Sequence, residues 1–177
     1  MPTTAPCPLD QGPSRPVDAV LALGANLGDP AATLTRAAND LADQPGITLT
    51  GASPRAVTAA VGGPEGQPDY LNQVLTVATT LSPRGLLTAC HAVEQAHHRA
   101  REVRWGPRTL DIDVIVYADL QSEDPGLTLP HPRARDRAFV LAPWSWLDPE
   151  AMLLGTPVAE LARAAADAGT VRRVEAP

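Results

Sequence analysis

The chain has 177 residues, 44% of them hydrophobic and 19% charged, the size and composition of one soluble domain with its own core. Its net charge of -6 argues against a general nucleic-acid binder, which needs excess cations to neutralise phosphates. All 14 basic residues are arginine, so mechanisms that need a P-loop, kinase-strand or Schiff-base lysine are excluded.

Cys7 and Cys90 form neither a CxxC pair nor a disulfide framework, which fits a reducing cytoplasm. No stretch approaches the ~20 apolar residues of a membrane span. Residues 1–16 carry five prolines and no apolar signal-peptide core, and are expected to be a disordered tail.

Residues 17–24 (VDAVLALG) form an apolar run closed by glycine and read as a buried strand. Asp29 caps a helix with Pro30 at its first position, and Pro45-Gly46 stops it. Residues 47–53 return as a second strand. Residues 54–69 (PRAVTAAVGGPEGQPD) are rich in glycine and proline, and predict a long loop of the functional kind. Residues 70–80 read as a strand, and a helix capped by Ser82 runs from Pro83 to about Arg101. Residues 110–117 (LDIDVIVY) alternate as a strand does.

A turn-rich stretch over 121–128 follows, then LPHPRARDRAFVLAPWSWL without an assigned element, then a helix around 157–168. The order β-α-β-β-α-β predicts a ferredoxin-like α/β (α+β) unit with both helices on one face. One domain over 17–170, with a C-terminal extension and a tail at 171–177, is expected.

In a strand, residues i and i+2 share a face, roughly 6.5 to 7 Å apart. Leu110, Ile112, Val114 and Val116 are therefore expected on the core face, with Asp111, Asp113, Ile115 and Tyr117 opposite. Two like charges repel unless a cation sits between them or they reach solvent. Paired carboxylates suit Mg²⁺, which takes a few carboxylates plus water and phosphate oxygens. A solvated strand end paired to Arg104 and Arg108 is the bland alternative. Seven of the 14 arginines fall at 99, 101, 104, 108, 133, 135 and 137. Such clusters beside carboxylates suit a polyphosphate held through metal, with guanidiniums on its outer oxygens. Phosphoryl-type transfer from a nucleoside triphosphate follows.

The stretch RWGPRTLDIDVIVY (residues 104–117) closely resembles the signature of the hydroxymethyldihydropterin pyrophosphokinase family of folate biosynthesis. LALGANLGD, QPDYLNQV and LPHPRARDRAFVLAPW extend the resemblance, in the family's order, over residues 18–147. It implies a ferredoxin-like fold and a reaction in which the pterin hydroxymethyl oxygen attacks the β-phosphorus of ATP, releasing AMP. By the same resemblance, Asp111 and Asp113 hold two Mg²⁺ ions. Arg99 and Arg108 join them as catalytic residues, and Arg104 grips phosphate beside Arg108. Glu94, Arg101, Arg104, Val114, Thr128, His131 and Arg137 match nucleotide-side positions. Gly24, Thr58, Val61, Tyr70, Asn72, Trp105 and Phe139 match positions around the pterin, with Asn72 reading its edge.

Ala59 and Ala60 stand where the family often has prolines, Ala25 where it often has serine, and His91 where glutamine is frequent. His91, His97 and His98 are read as non-metal, and Trp144 and Trp146 as core fillers. ATP and the hydroxymethylpterin are the expected partners, with no nucleic acid and no membrane. A cytoplasmic monomer is expected. A nucleotidyltransferase with paired aspartates, or a non-catalytic ferredoxin-like binding domain, are the competing readings.

Overall fold

The computed structural model describes residues 7–60, 66–97 and 109–174. In chain order these form β1 (Val17–Ala25), α1 (Pro30–Ala42), β2 (Ile47–Ala52), β3 (Arg55–Thr58), β4 (Tyr70–Thr79), α2 (Pro83–Ala96) and β5 (Asp111–Tyr117). Then come the hairpin β6 (Ser122–Asp124) and β7 (Leu127–Leu129), α3 (Ala138–Leu147), the small hairpin β8 (Met152–Leu153) and β9 (Thr156–Pro157), α4 (Val158–Ala164) and β10 (Arg172–Val174).

Both long helices start as their sequences require. Asp29 Oδ1 accepts the Ala32 N–H at 3.0 Å, and Ser82 Oγ accepts that of Gly85 at 3.1 Å. Each cap satisfies an orphan donor and contributes about 1 kcal/mol. Leu34, Ala37 and Leu41 of α1, with Leu86, Cys90 and Val93 of α2, bury one face of the sheet.

The principal sheet runs β10-β3-β4-β1-β5, with β2 also paired to β4, and every pairing is antiparallel. β2 and β3 are two halves of one strand along β4. Counted so, the order is that of the ferredoxin-like unit. The break falls at Ser53-Pro54, where proline has no N–H to give. Ser53 closes the gap, donating its N–H to Val74 O at 2.8 Å and accepting the Val74 N–H on Oγ at 2.9 Å.

Several expectations are corrected. The first residues of the expected loop, Arg55–Thr58, are strand β3, because β4 and β10 flank them on both sides. Four residues behind a proline are too few to show a period. The expected turn-rich stretch holds the β6–β7 hairpin. The unassigned segment contains α3, which is apolar almost all round and carries Pro143, so it has no helical stripe. The expected C-terminal helix is α4 alone, followed by a 3-10 turn at Ala168–Thr170.

The far face of the sheet is covered as well. Val140, Leu141 and Trp144 of α3, with Val158 and Ala162 of α4, pack on Val20, Val74 and Ile115. One sheet thus carries a core on each side. Trp146 is only half-buried, under the Arg173 guanidinium 5.5 Å away, and is no core filler.

In β5 the alternation slips once. Leu21 opposes Val114 and Val20 opposes Val116, so Ile115 is an extra residue, a β-bulge. Tyr117 therefore joins the helix-side core and Val116 the other, reversing the expected faces. Two pieces outside residues 17–170 also belong to the fold: Leu9 is buried in the helix-side core, and β10 pairs with β3.

Arg55 is a buried guanidinium whose Nη2 donates to Thr35 Oγ1 at 2.7 Å while its Nε has no acceptor among the described residues. An unmatched buried donor costs about 1 to 3 kcal/mol. Arg55→Leu is therefore expected to raise the urea midpoint, and a lowered midpoint would count against this.

The Cys90 thiol is pushed up to about 12, by burial first and then by Glu94 and Asp113. The folded state disfavours the thiolate, so this contribution to stability is complete at neutral pH. It is lost as pH climbs from the ordinary thiol value towards 12. A thiol reagent at pH 8 should find Cys7, which is exposed, and miss Cys90 until the chain is unfolded. Fast labelling of both native thiols would contradict this.

Candidate active site

The site begins with two small residues in the central strand. Gly24 of β1 lies directly between Asn72 of β4 and Asp111 of β5, and Ala22 lies between Val74 and Asp113. These two rows project from the face opposite α1 and α2. Strands are about 4.8 Å apart, so Asn72 and Asp111 stand roughly 10 Å apart with little side chain between them. α3 crosses the same face further along, over Val20, Val74 and Ile115. What remains is a cavity of about 400 Å³ above Gly24 and Ala22.

Eight of the candidate residues line this one cavity: Gly24, Thr58, Tyr70, Asn72, Asp111, Asp113, Arg137 and Phe139. Asn72 is buried and donates through Nδ2 to Thr58 Oγ1 at 2.9 Å, which fixes its amide. A Cβ at Gly24 would lie 3.0 Å from Asn72 Oδ1. Glycine there makes room for that amide. Phe139 is the second residue of α3, half-buried, with the Arg137 guanidinium 5.4 Å from its ring centroid.

The bulge at Ile115 sets His131. The Ile115 carbonyl accepts the His131 N–H at 2.8 Å, which brings His131 Nε2 to 3.9 Å from Asp113 Oδ2. Burial, with Arg137 and Arg133 nearby, holds the imidazole below its usual pKa, against the opposing pull of Asp113 and Asp111. Neutral at pH 7, it adds no positive charge beside the aspartates. Its Nδ1 accepts the Arg133 N–H at 3.3 Å.

Besides His131, three described candidates are not on the cavity wall. Glu94 is fully buried on α2, and its Oε1 accepts the Ile112 N–H at 2.7 Å, fixing β5 between its two aspartates. Val114 points into the helix-side core. Thr128, on β7, donates its hydroxyl to Asp124 O at 3.0 Å. Val61, Arg99, Arg101, Arg104, Trp105 and Arg108 lie outside the described residues. So does His98, while His91 is exposed and His97 Nε2 lies 2.6 Å from Asp40 Oδ2. Ala25 is buried on the helix side, away from the cavity, whereas Ala59 lines it.

Sequence reasoning missed Ala22, Asp136 and Asp167, all of which line the cavity, as does Arg133 of the expected arginine cluster. It also missed Asn26, which is buried and donates through Nδ2 to Pro68 O at 3.0 Å, holding the chain just before β4. Asn26 sits inside LALGANLGD, so the signal was present. Asp167 stands alone in an alanine-rich stretch, which gave no signal.

The family model described as 7,8-dihydro-6-hydroxymethylpterin-pyrophosphokinase matches residues 20–149. The 2-amino-4-hydroxy-6-hydroxymethyldihydropteridine pyrophosphokinase of Methylorubrum extorquens is 43% identical over 157 residues, 89% of this chain and 98% of that one. The protein of the same name from Pseudomonas aeruginosa is 37% identical over 133 residues, 75% of this chain and 82% of that one. A solved structure of wild-type Plasmodium falciparum HPPK-DHPS with STZ-DHP shares the fold. Its TM-score is 0.68 at 13% identity, over 88% of this chain and 44% of that longer one.

These findings first define a class, an ATP-dependent diphosphotransferase built on a ferredoxin-like sheet. The chain belongs to the 7,8-dihydro-6-hydroxymethylpterin-pyrophosphokinase family, whose reaction transfers diphosphate from ATP to hydroxymethyldihydropterin in folate biosynthesis.

Gly24→Ala is expected to push the Asn72 amide off Thr58 and raise the KM for whichever substrate the cavity takes about tenfold, the scale of one disturbed hydrogen bond. Wild-type kinetics in that variant would mean that the Asn72 amide has slack to move.

Proposed function

We propose that the cavity above Gly24 holds the pterin and that its acidic lip, Asp111 and Asp113, receives the triphosphate of ATP through Mg²⁺. The observation that carries this reading is a single cavity with an apolar, amide-bearing wall on one side and two carboxylates on the other. A flat, polar heterocycle needs both a face and an edge partner. Phe139 and Tyr70 offer faces, and the Asn72–Thr58 pair offers an edge of donors and acceptors.

The donor set fits magnesium. Both aspartates project from one sheet face and are hard oxygen donors. Among the described residues no group of three or more His, Cys, Asp or Glu forms a complete metal set. Two carboxylates would leave the other positions to phosphate oxygens and water, the usual habit of Mg²⁺. When bound, the metal neutralises phosphate charge and lowers the pKa of the attacking hydroxyl.

The chain's own groups orient the reaction. Transfer of a diphosphate to an alcohol breaks the bond between the α,β-bridging oxygen and the β-phosphorus. AMP leaves as the hydroxymethyl oxygen takes its place. Asn72 and Thr58 fix the pterin by its edge, so that its hydroxymethyl arm points towards the aspartates. Arg137, at the cavity wall, offers donors to phosphate oxygens. Arg99, Arg101, Arg104 and Arg108 are proposed to complete the grip on ATP, with Trp105 and Val61 completing the pterin pocket.

No helix among the described residues is long and apolar enough to cross a membrane, and dependence on ATP supports a cytoplasmic site of action.

Incubation with ATP, Mg²⁺ and hydroxymethyldihydropterin should release AMP. Release of inorganic diphosphate instead would point to attack at the α-phosphorus and a nucleotidyltransferase. Asp113→Ala, and Asp111→Ala almost as strongly, should lower kcat about 10²-fold or more with a native circular dichroism spectrum. Wild-type turnover by either variant would sink the metal reading.

A further inference from the structure

The family match ends at residue 149, but the cavity wall continues beyond it. Ala166 and Asp167 also line the cavity. α3 starts at Ala138, and the side chain of its N-cap residue, Arg137, makes no capping hydrogen bond. Asp167 supplies one from 29 residues downstream, its Oδ1 accepting the Ala138 N–H at 2.8 Å. A carboxylate in this place satisfies an orphan donor and complements the helix dipole. Ala138 lies between Arg137 and Phe139, the two residues that bring the start of α3 to the cavity.

Asp167 is itself held in place. Its carbonyl accepts the Thr170 N–H at 3.0 Å and the Thr170 hydroxyl at 2.8 Å. The chain then enters β10, where Arg172 pairs with Val57, next to Thr58. Arg172 also reaches Asp69, next to Tyr70, at 3.3 Å. One short segment therefore ties the start of α3 to the β3–β4 wall.

We propose that Asp167 is a positioning residue for the pterin: its side-chain oxygen fixes the first turn of α3 and so aims Phe139 into the cavity. The proposal rests on the reading that the cavity holds the pterin. Asp167 acts by accepting a hydrogen bond, which an amide oxygen can also do.

The test is steady-state kinetics for Asp167→Ala, Asp167→Asn and Phe139→Ala in the full chain, with thermal melts alongside. Asp167→Ala should raise the KM for the pterin about tenfold, the scale of one lost cap, and change the KM for ATP by less than about twofold. Asp167→Asn should recover most of that loss. Should the alanine variant melt below the assay temperature, all the variants are assayed together below its melting point. An Asn variant as impaired as the Ala variant would overturn the proposal, since charge rather than acceptance would then be at work. Equal rises for both substrates, or no rise, would overturn it too. The Phe139 variant separates the two readings. Unchanged pterin KM there defeats the cavity assignment itself, whereas a weakened Phe139→Ala beside a normal Asp167→Ala defeats only the role of Asp167.

Discussion

Everything at this site depends on how little side chain the central strand carries. A sheet face normally fills with interdigitated side chains at the density of an organic crystal. Here β1 presents Gly24 and Ala22 in the middle of two cross-strand rows, flanked by Asn72 and Val74 on one side and Asp111 and Asp113 on the other. The floor of the cavity is close to bare backbone. Because the backbone amides there are already paired in the sheet, the floor leaves few polar groups of its own to satisfy, which suits a planar ring. Larger residues at these two positions would close the cavity without disturbing the core on the helix side.

The two cores divide the work. The helix-side core, built from α1, α2 and the inward rows of the sheet, holds the strands in register. The second core, under α3 and α4, stops short of Gly24 and thereby sets where the cavity begins. Glu94 links the two sides: it is buried among the residues of the helix-side core, and its carboxylate grips the backbone of the strand between the two aspartates. The bulge at Ile115 makes a similar link, since it re-aims the end of β5 and offers its carbonyl to His131. Positions read as nucleotide-side in the sequence thus include residues that shape β5 from behind.

Much of this was legible from the chain. The helix caps Asp29 and Ser82, the alternation that puts Asp111 and Asp113 on one face, and the ferredoxin-like order all follow from local rules acting over long, regular segments. What escaped was non-local. β3 exists because of its partners on both sides. α3 is a helix because both the sheet and α4 cover it, which erases the one-sided pattern that sequence reading needs. The bulge that moves Val116 and Tyr117 is a property of the pairing with β1, invisible in β5 alone. Asp167 acts on Ala138 across 29 residues, and nothing in either neighbourhood announces the other.

β10 has a further consequence, for solubility. Without it, β3 would stand as a sheet edge with unpaired amides and carbonyls, a template for pairing with another chain. β10 covers Arg55 to Val57 and then becomes the edge itself. It is three residues long, all exposed, and two of them are arginines. So short and charged a border is a poor surface for strand addition. The segment that finishes the cavity wall is thus also the one that closes the β3 edge of this sheet.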